Sequence, residues 1–313
     1  MKETYIHIGL PRTATTFFQQ FLFPNLPDIS FYGVETAFYH DAFNKLQYSD
    51  DSFYDSSIFD DLLNQFGEGK VLLSNEYLSG QSIYLNNVNR SMIARRLKQL
   101  FPDGKVLLIL RNQIDLLQSL YAINVQWKET RSIDDFIWSN NNKHNLDSGG
   151  ASATYFNTKE GYECLDGYDY NPLVKLYKET FSDVTILLFE EFVENPKSFT
   201  QKLASFFDIS EEHITQHISG KKALNTGATK IQAEKLTKLN RYYELSESSL
   251  FKKKIYNKRK SNILKNNTTG AKASFSSEKT IELKNHFKEV NALLDKNHPE
   301  LGIKNYAKSY YID

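Results

Sequence analysis

The sequence predicts an α/β protein with a parallel β-sheet flanked by helices and a helical C-terminal part. The first observation is a set of short apolar runs, which are typical of strands buried inside a parallel sheet. These predicted strands are residues 4–10, 70–75, 105–111 and 184–189. The second observation is that each strand is followed by a helical pattern. These predicted helices are residues 15–23, 87–101, 113–125 and 196–207. Because strands and helices alternate, we expect crossover connections between parallel strands.

The first strand leads into a turn rich in hydroxyl groups and then into a helix. Unpaired backbone N–H groups at such a turn attract anions, and Arg12 adds a positive charge beside them. The segment 9–16, GLPRTATT, departs from the nucleoside triphosphatase loop G-x-x-x-x-G-K-[ST], because Ala14 replaces the second glycine and Thr15 replaces the lysine. Without that lysine a triphosphate loses its main counter-charge, which disfavours an ordinary ATPase or kinase.

The next two strands both end in charged residues. KVLLSN at 70–75 is followed by Glu76, and KVLLIL at 105–110 is followed by Arg111. Ligands of open α/β sheets bind at the carboxyl ends of strands, so both side chains are candidates for a site. Ser119 lies about two turns into the helix that follows. The alternative is a set of ordinary surface residues.

Residues 11–16, PRTATT, and 111–121, RNQIDLLQSLY, resemble the sulfotransferases that use 3′-phosphoadenosine 5′-phosphosulfate (PAPS). The family patterns are P-[KR]-T-x-T-T and R-N-P-x-D-x-x-x-S-x-Y. This chain has Arg12 where lysine is commoner, Ala14 where glycine is commoner and Gln113 in place of proline. Residues 184–209 are similar to the family's last strand and helix. The resemblance implies a P-loop NTPase-like sulfotransferase fold, with residues 1–313 as a single domain.

The resemblance also implies a role for each candidate residue. The loop would wrap the 5′-phosphosulfate of PAPS without a metal, through Pro11, Arg12, Thr13, Ala14, Thr15 and Thr16. Arg111 and Ser119 would bind the 3′-phosphate, which the product 3′-phosphoadenosine 5′-phosphate (PAP) keeps. Glu76 stands at the position of the general base, which a poorly nucleophilic hydroxyl requires. Arg12 would stabilise the charge that grows on the departing phosphate oxygen.

The resemblance implies a hydroxyl of a carbohydrate or of a small metabolite as the acceptor. By family analogy, Glu76 rather than histidine at the base position favours a carbohydrate. Insertions at about 35–65 and 139–171 are expected on the acceptor side, since loops over a rigid sheet commonly carry specificity. Passive surface insertions are the alternative. The aromatic residues of the second insertion either stack on a sugar or simply pack, and they are Tyr155, Phe156, Tyr162, Tyr168 and Tyr170.

Residues 220–313 are predicted to be helical and partly basic. The lysine-rich segment 252–265 is interpreted as a solvated face or loop. The alternatives are that it steers an anionic glycan or makes weak contact with an anionic lipid surface. His7 is predicted to be a core histidine. His213 and His217 have helical spacing but no third ligand, so they are interpreted as ordinary helix residues.

Composition excludes several classes of protein. With 38 basic and 38 acidic residues the net charge is zero, so a general nucleic-acid surface is not expected. No apolar run approaches the roughly 18 residues of a membrane span, and the N-terminus carries no signal-like core. Cys164 is the single cysteine, which excludes an internal disulfide bond. These features predict a cytoplasmic protein.

Two other functions remain open at this point. One is a nucleotide kinase with a degenerate phosphate-binding loop, which the missing loop lysine disfavours. The other is a catalytically silent nucleotide-binding module, which the presence of Arg12, Glu76, Arg111 and Ser119 disfavours. Preferential binding of PAP over ATP with Mg²⁺ would distinguish the sulfotransferase from both.

Overall fold

The structure, a computed structural model, describes residues 3–33, 37–66, 69–79, 90–138, 163–222, 224, 227–244, 250–266 and 268–312. The chain forms two compact units. The first comprises Met1–Asn112, Asp169–Leu224 and Glu289–Asp313, and the second comprises Gln113–Tyr168 and Asn225–Lys288. The organisation of residues 1–313 as one domain stays a prediction.

The first unit is built on a parallel sheet. The described strands are β1 Thr4–His7, β2 Ile29–Gly33, β3 Lys70–Ser74, β4 Lys105–Leu110, β5 Ile137–Trp138, β6 Glu163–Cys164 and β7 Asp183–Leu188. Five of them form the sheet of the first unit in the order β2-β3-β1-β4-β7, and every pairing is parallel. The central strand β1 therefore lies between β3 and β4. This confirms the predicted parallel sheet.

The helices that follow the strands lie close to the predicted positions. The described helices are α1 Thr15–Phe21, α2 Ala37–Tyr48, α3 Asp60–Gln65, α4 Arg90–Leu100, α5 Gln113–Asn124, α6 Tyr170–Thr180, α7 Phe189–Glu194, α8 Pro196–Phe207, α9 Glu211–Ile218, α10 Lys230–Glu244, α11 Leu250–Lys265, α12 Ser277–Asn297 and α13 Ala307–Tyr310. Of the predicted helices, 196–207 has the predicted bounds, and the others differ by a few residues at their ends.

Alternating residues of the central strands feed two apolar layers, one on each face of the sheet. On one face Ile6, Leu73 and Leu108 pack with α2, α4 and α6. On the other face Tyr5 and Leu107 pack with α1, α8 and α9. Since both faces are covered, the strands read as continuous apolar runs, which is the pattern from which the sequence predicts them.

Two parts of the first unit differ from the sequence expectation. Strand β2, Ile29–Gly33, was not predicted, and its middle residues are only partly buried because it lies at the edge of the sheet. The region 35–65 is expected to be an insertion on the acceptor side, and no helix is predicted in it. It instead carries α2 and α3, and Phe43 and Phe59 from this region are buried in contact with each other.

The second unit contains α5, α10, α11, the two-stranded sheet of β5 and β6, and the first part of α12. Asn240 of α10 is buried, and its Nδ2 donates to the carbonyl oxygens of Val125 at 2.9 Å and Glu129 at 2.8 Å. Tyr256 of α11 donates to Asn240 Oδ1 at 2.9 Å. These bonds fix α10 and α11 within the unit. The segment 252–265 is thus helical, and exposed Lys252, Lys253 and Lys254 agree with a solvated face rather than a loop.

Residues 139–162, most of the second predicted insertion, lie outside the described residues. Within the residues that the structure does describe, no helix combines the length and the apolar character needed to cross a bilayer.

Candidate active site

The candidate residues of the first unit lie at the carboxyl edge of the sheet, where three neighbouring strands end. Strand β1 runs into the loop 8–14, β3 runs into Asn75 and Glu76, and β4 runs into Arg111. In open α/β sheets this edge binds ligands where connections diverge to opposite sides of a central strand. Here β1 is that central strand, with β3 on one side and β4 on the other.

The loop between β1 and α1 contains two residues in the left-handed region. Arg12 has a φ of 70° and Ala14 a φ of 66°. A residue with a Cβ is destabilised by roughly 1–2 kcal/mol in this conformation. Glycine has no Cβ, which explains why it is commoner at the position of Ala14 in the family that the loop resembles. The loop holds this shape through a hydrogen bond from Thr13 Oγ1 to Leu10 O at 2.6 Å, and Thr15 Oγ1 lies 3.4 Å from the same oxygen.

Gly9 lets the loop approach a buried histidine. His7 at the end of β1 has no exposed surface, which confirms the predicted core histidine, and burial lowers its pKa to about 3. A Cβ on Gly9 would lie 2.6 Å from His7 Nε2 and 3.3 Å from Thr13 Oγ1. No side chain therefore fits at residue 9 without moving the imidazole ring.

His7 also ties the loop strand to the strand that carries Glu76. Its Nδ1 lies 2.8 Å from Ser74 Oγ, at the end of β3. Gln19 of α1 donates to the same Ser74 Oγ at 2.9 Å. The three side chains link β1, β3 and α1 directly below the loop. The end of β1, where the loop starts, is therefore fixed relative to the end of β3, after which Glu76 follows.

Glu76 lies beside the loop, as predicted. It begins a short 3-10 helix, Glu76–Ser79, and is half-buried. Its carboxylate accepts a hydrogen bond from the Thr15 hydroxyl and is attracted by Arg12. Burial raises the pKa of Glu76 above its usual value, while the Arg12 charge and the Thr15 hydrogen bond act in the opposite direction. A carboxylate held in this way is a credible proton acceptor.

Arg111 is joined to the same loop. Its Nη1 donates to the carbonyl oxygen of Arg12 at 2.9 Å, and its guanidinium lies over the Phe189 ring, 4.5 Å from the centroid. Both arginines are half-buried. The structure therefore brings Arg12, Thr15, Glu76 and Arg111 together in the first unit, and their family-derived roles stay predictions.

A buried hydrogen-bond network adjoins Arg111, and the sequence analysis does not predict it. Glu190 Oε1 accepts hydrogen bonds from the backbone N and from Nδ2 of Asn112, both at 2.9 Å. Glu190 Oε2 accepts one from the hydroxyl of Tyr310 at 2.8 Å, and the Tyr170 hydroxyl donates to Arg111 O at 2.6 Å. Only the position of Glu190, two residues after the end of the apolar strand β7, carries a signal that can be read from the sequence.

Three other predicted site residues are placed as follows. Pro11 is buried, and Thr16 is half-buried in the first turn of α1. Ser119 is half-buried on α5, which begins at Gln113 as expected, and it belongs to the second unit. That Ser119 and Arg111 bind one phosphate stays a prediction.

The remaining residues considered in the sequence analysis have structural roles or lie outside the described part. Tyr168 and Tyr170 are buried, so stacking of these two rings on a sugar is wrong and packing is right. The other three aromatic residues of that set lie outside the described residues, namely Tyr155, Phe156 and Tyr162. His213 and His217 lie on α9, and in the described part of the chain no cluster of His, Cys, Asp or Glu is suited to hold a metal.

Comparison with known proteins identifies the family. A sequence model of the sulfotransferase domain matches residues 2–292. A solved sulfotransferase from Alicyclobacillus acidocaldarius aligns with 18% identity and a TM-score of 0.45, over 68% of this chain and 83% of that one. Mouse sulfotransferase SULT7A1 complexed with PAP aligns with 15% identity and a TM-score of 0.41, over 92% of this chain and 84% of that one. No curated protein sequence matches. The two structural likenesses are weak, and the assignment depends on the domain match, which covers nearly the whole chain: the protein belongs to the sulfotransferase family of enzymes.

Proposed function

We propose that this enzyme transfers the sulfonate group of PAPS to a hydroxyl group, with Glu76 as the general base and PAP as the released product. The observation that carries this proposal is the position of the Glu76 carboxylate, which is hydrogen bonded to Thr15 and attracted by Arg12 of the loop. A base, a cation and a loop with backbone N–H groups thus occupy one edge of the sheet. These are the parts that transfer of an anionic group to a hydroxyl requires.

The nucleotide would lie across the two anchors of the carboxyl edge. The loop residues from Pro11 to Thr16 would hold the 5′-phosphosulfate, and Arg111 with Ser119 would hold the 3′-phosphate. The fit is supported by Gly9, whose missing Cβ leaves the loop directly above His7, and by the hydrogen bond from Arg111 Nη1 to Arg12 O. That bond couples the two anchors, because a shift of either arginine would displace the other.

In the proposed reaction the acceptor oxygen forms a bond to sulfur while the bond from sulfur to the 5′-phosphate oxygen breaks. The acceptor proton passes to the Glu76 carboxylate. Negative charge develops on the leaving phosphate oxygen, where Arg12 and the N–H groups of the loop stabilise it. Each well-placed donor in such a site contributes roughly 3 kcal/mol to the transition state. No metal is needed for this step.

A carbohydrate is the proposed acceptor class, and a small metabolite is the alternative. The support for a carbohydrate is the resemblance alone, through glutamate at the base position. A cytoplasmic location and the absence of nucleic-acid partners are proposed from the composition, namely one cysteine and 38 residues of each charge sign. A weak association of the lysine-rich helix α11 with anionic surfaces is compatible with its exposed lysines.

Ligand-dependent stability tests the nucleotide part of the proposal. A ligand that binds the native state raises its stability by RT ln(1 + [L]/Kd). We expect PAP to raise the melting temperature of the enzyme, and ATP with Mg²⁺ to have a much smaller effect. Calorimetric titration of PAP into the Arg111→Ala variant should then show a large loss of affinity. A preference for ATP would contradict the sulfotransfer proposal, and unchanged PAP affinity in Arg111→Ala would contradict the role of Arg111.

A further inference from the structure

We propose that Tyr310 and Glu190 are positioning residues, which hold Arg111 in the orientation that binds the 3′-phosphate of the nucleotide. The inference builds on the proposed function, since it concerns the residue to which that function assigns the 3′-phosphate. It assigns a functional part to the segment Ala307–Tyr310, which lies far from every sequence motif of the site.

The hydrogen-bond network around Glu190 is buried. Asn112, Glu190 and Tyr310 are all buried, with exposed fractions of 2%, 5% and 0%. The two Glu190 oxygens accept three hydrogen bonds, two from Asn112 and one from Tyr310. A buried carboxylate needs such donors, because leaving it without them costs more than the bonds are worth in isolation. The network therefore has one favourable geometry, and Asn112 is fixed in it.

The fixed position of Asn112 also fixes Arg111. Asn112 follows Arg111 directly, so its fixed backbone N–H sets the direction in which the chain leaves β4. Tyr170 donates to the carbonyl oxygen of Arg111 at 2.6 Å and fixes the peptide on the other side. The guanidinium then lies over Phe189, the residue before Glu190. The first two residues of α7 thus both act on this turn: the Phe189 ring contacts the Arg111 guanidinium, and the Glu190 carboxylate binds Asn112.

Tyr310 is itself held in place. Asn291 of α12 donates to its carbonyl oxygen at 2.9 Å, and its ring packs in the apolar layer that contains Leu294 and Leu301. Burial, with the neighbouring Glu190 carboxylate, raises the pKa of Tyr310 well above its usual value. The hydroxyl therefore stays protonated and remains a donor to Glu190 over the whole working range of an enzyme.

The test compares two nucleotides that differ in the 3′-phosphate. Calorimetric titration measures the affinity of PAP and of adenosine 5′-monophosphate, which lacks that group. Removing the Tyr310 hydroxyl in Tyr310→Phe should weaken PAP binding about tenfold, since hydrogen bonds to charged groups contribute this much. Binding of adenosine 5′-monophosphate should stay within about twofold of the wild type. Tyr170→Phe removes the hydrogen bond from the Tyr170 hydroxyl to Arg111 O, so it should also weaken binding of PAP more than binding of adenosine 5′-monophosphate. This variant replaces Tyr310→Phe if Tyr310→Phe does not fold.

The matched control is Tyr306→Phe. Tyr306 lies just before the same segment, and its hydroxyl makes no hydrogen bond within the part of the chain that the structure describes. This variant should bind both nucleotides as the wild type does. In the double variant Arg111→Ala, Tyr310→Phe, the tyrosine change should add no loss beyond Arg111→Ala alone, because its effect acts through Arg111.

Two results would overturn the inference alone, namely an equal loss of affinity for both nucleotides in Tyr310→Phe, or a full additional loss on top of Arg111→Ala. A wild-type enzyme that does not bind PAP at all would overturn the nucleotide proposal together with this one. The two failures are therefore distinguished by the wild-type titration.

Discussion

Gly9→Ala is expected to destabilise the first unit and to weaken nucleotide binding. A Cβ at residue 9 would lie 2.6 Å from His7 Nε2, which is about 0.8 Å closer than the 3.4 Å of ordinary contact. The imidazole cannot yield freely, because it is fully buried, hydrogen bonded to Ser74 and packed edge-on against Phe23. Overpacking of this kind costs about 1–3 kcal/mol.

A double-mutant cycle isolates the contact. Chemical denaturation followed by circular dichroism gives the free energy of unfolding for Gly9→Ala, for His7→Ala and for the double variant. His7→Ala removes the ring that the new methyl group would strike. The double variant should therefore be more stable than the sum of the single effects by about 1–2 kcal/mol. Additivity within about 0.5 kcal/mol would refute the reasoning, because it would show that the new methyl group and the His7 ring do not compete for space.

Gly104→Ala is the matched control for the effect on binding. Its Cβ would lie 2.9 Å from Ile6 Cδ1 and 3.1 Å from the backbone oxygen of Phe101, so it also introduces a clash in the same unit. Gly104 directly precedes β4, however, at the amino edge of the sheet and away from the loop. We expect both glycine variants to lose stability, and we expect only Gly9→Ala to lose PAP affinity in calorimetric titration. Equal losses of affinity would indicate a general effect of instability.

The remaining predictions concern Glu76 and the loop residues Thr15 and Ala14. Glu76→Gln should lower kcat by about two orders of magnitude or more while PAP affinity is preserved, and near-full turnover would exclude Glu76 as the base. The wild-type kcat should fall as the pH falls through the raised pKa of Glu76, since only the ionised carboxylate accepts a proton. Thr15→Val removes a hydrogen bond that lowers this pKa, so the acidic limb of the kcat profile should move to higher pH, whereas Thr15→Ser keeps the hydroxyl and should leave the limb in place. Ala14→Gly should change the free energy of unfolding by less than about 0.5 kcal/mol, because relief of the left-handed strain at φ 66° is offset by the greater freedom of glycine in the unfolded chain. Ala14→Val should destabilise by more than about 1 kcal/mol, since branched side chains tolerate positive φ poorly, and a neutral effect in denaturation would contradict the loop geometry.

The sequence predicts the central elements well because their signals are local. Strands β1, β3 and β4 are buried on both faces, so each contains a short apolar run that can be recognised without knowing its neighbours. The strand β2 has no such run, because it lies at the edge of the sheet and is covered less completely. Its place beside β3 depends on pairing with distant residues, which no local pattern records.

The features of the candidate site likewise divide into those that local sequence predicts and those that depend on distant residues. The position of Glu76 beside Arg12 could be predicted, because Glu76 follows the carboxyl end of β3 and Arg12 lies in the loop after β1, the parallel neighbour of β3. The hydrogen bond between Tyr310 and Glu190 could not, since it joins residues 120 positions apart and depends on where α13 packs. The left-handed φ of Arg12 is a further example, because arginine carries no preference for that conformation.

The central position of β1 has a consequence for the way the chain acquires its structure during synthesis. Thr4 pairs with Val71 and Tyr5 with Lys105, so the middle strand is made long before either neighbour exists. At about 5–20 residues per second, β1 waits several seconds for β3 and longer for β4. During that interval Ile6, Ile8 and Leu10 form an apolar stretch without a sheet to cover it. Strand β1 and the loop that follows it therefore form a segment of the nascent chain that needs protection against aggregation until β3 and β4 are made.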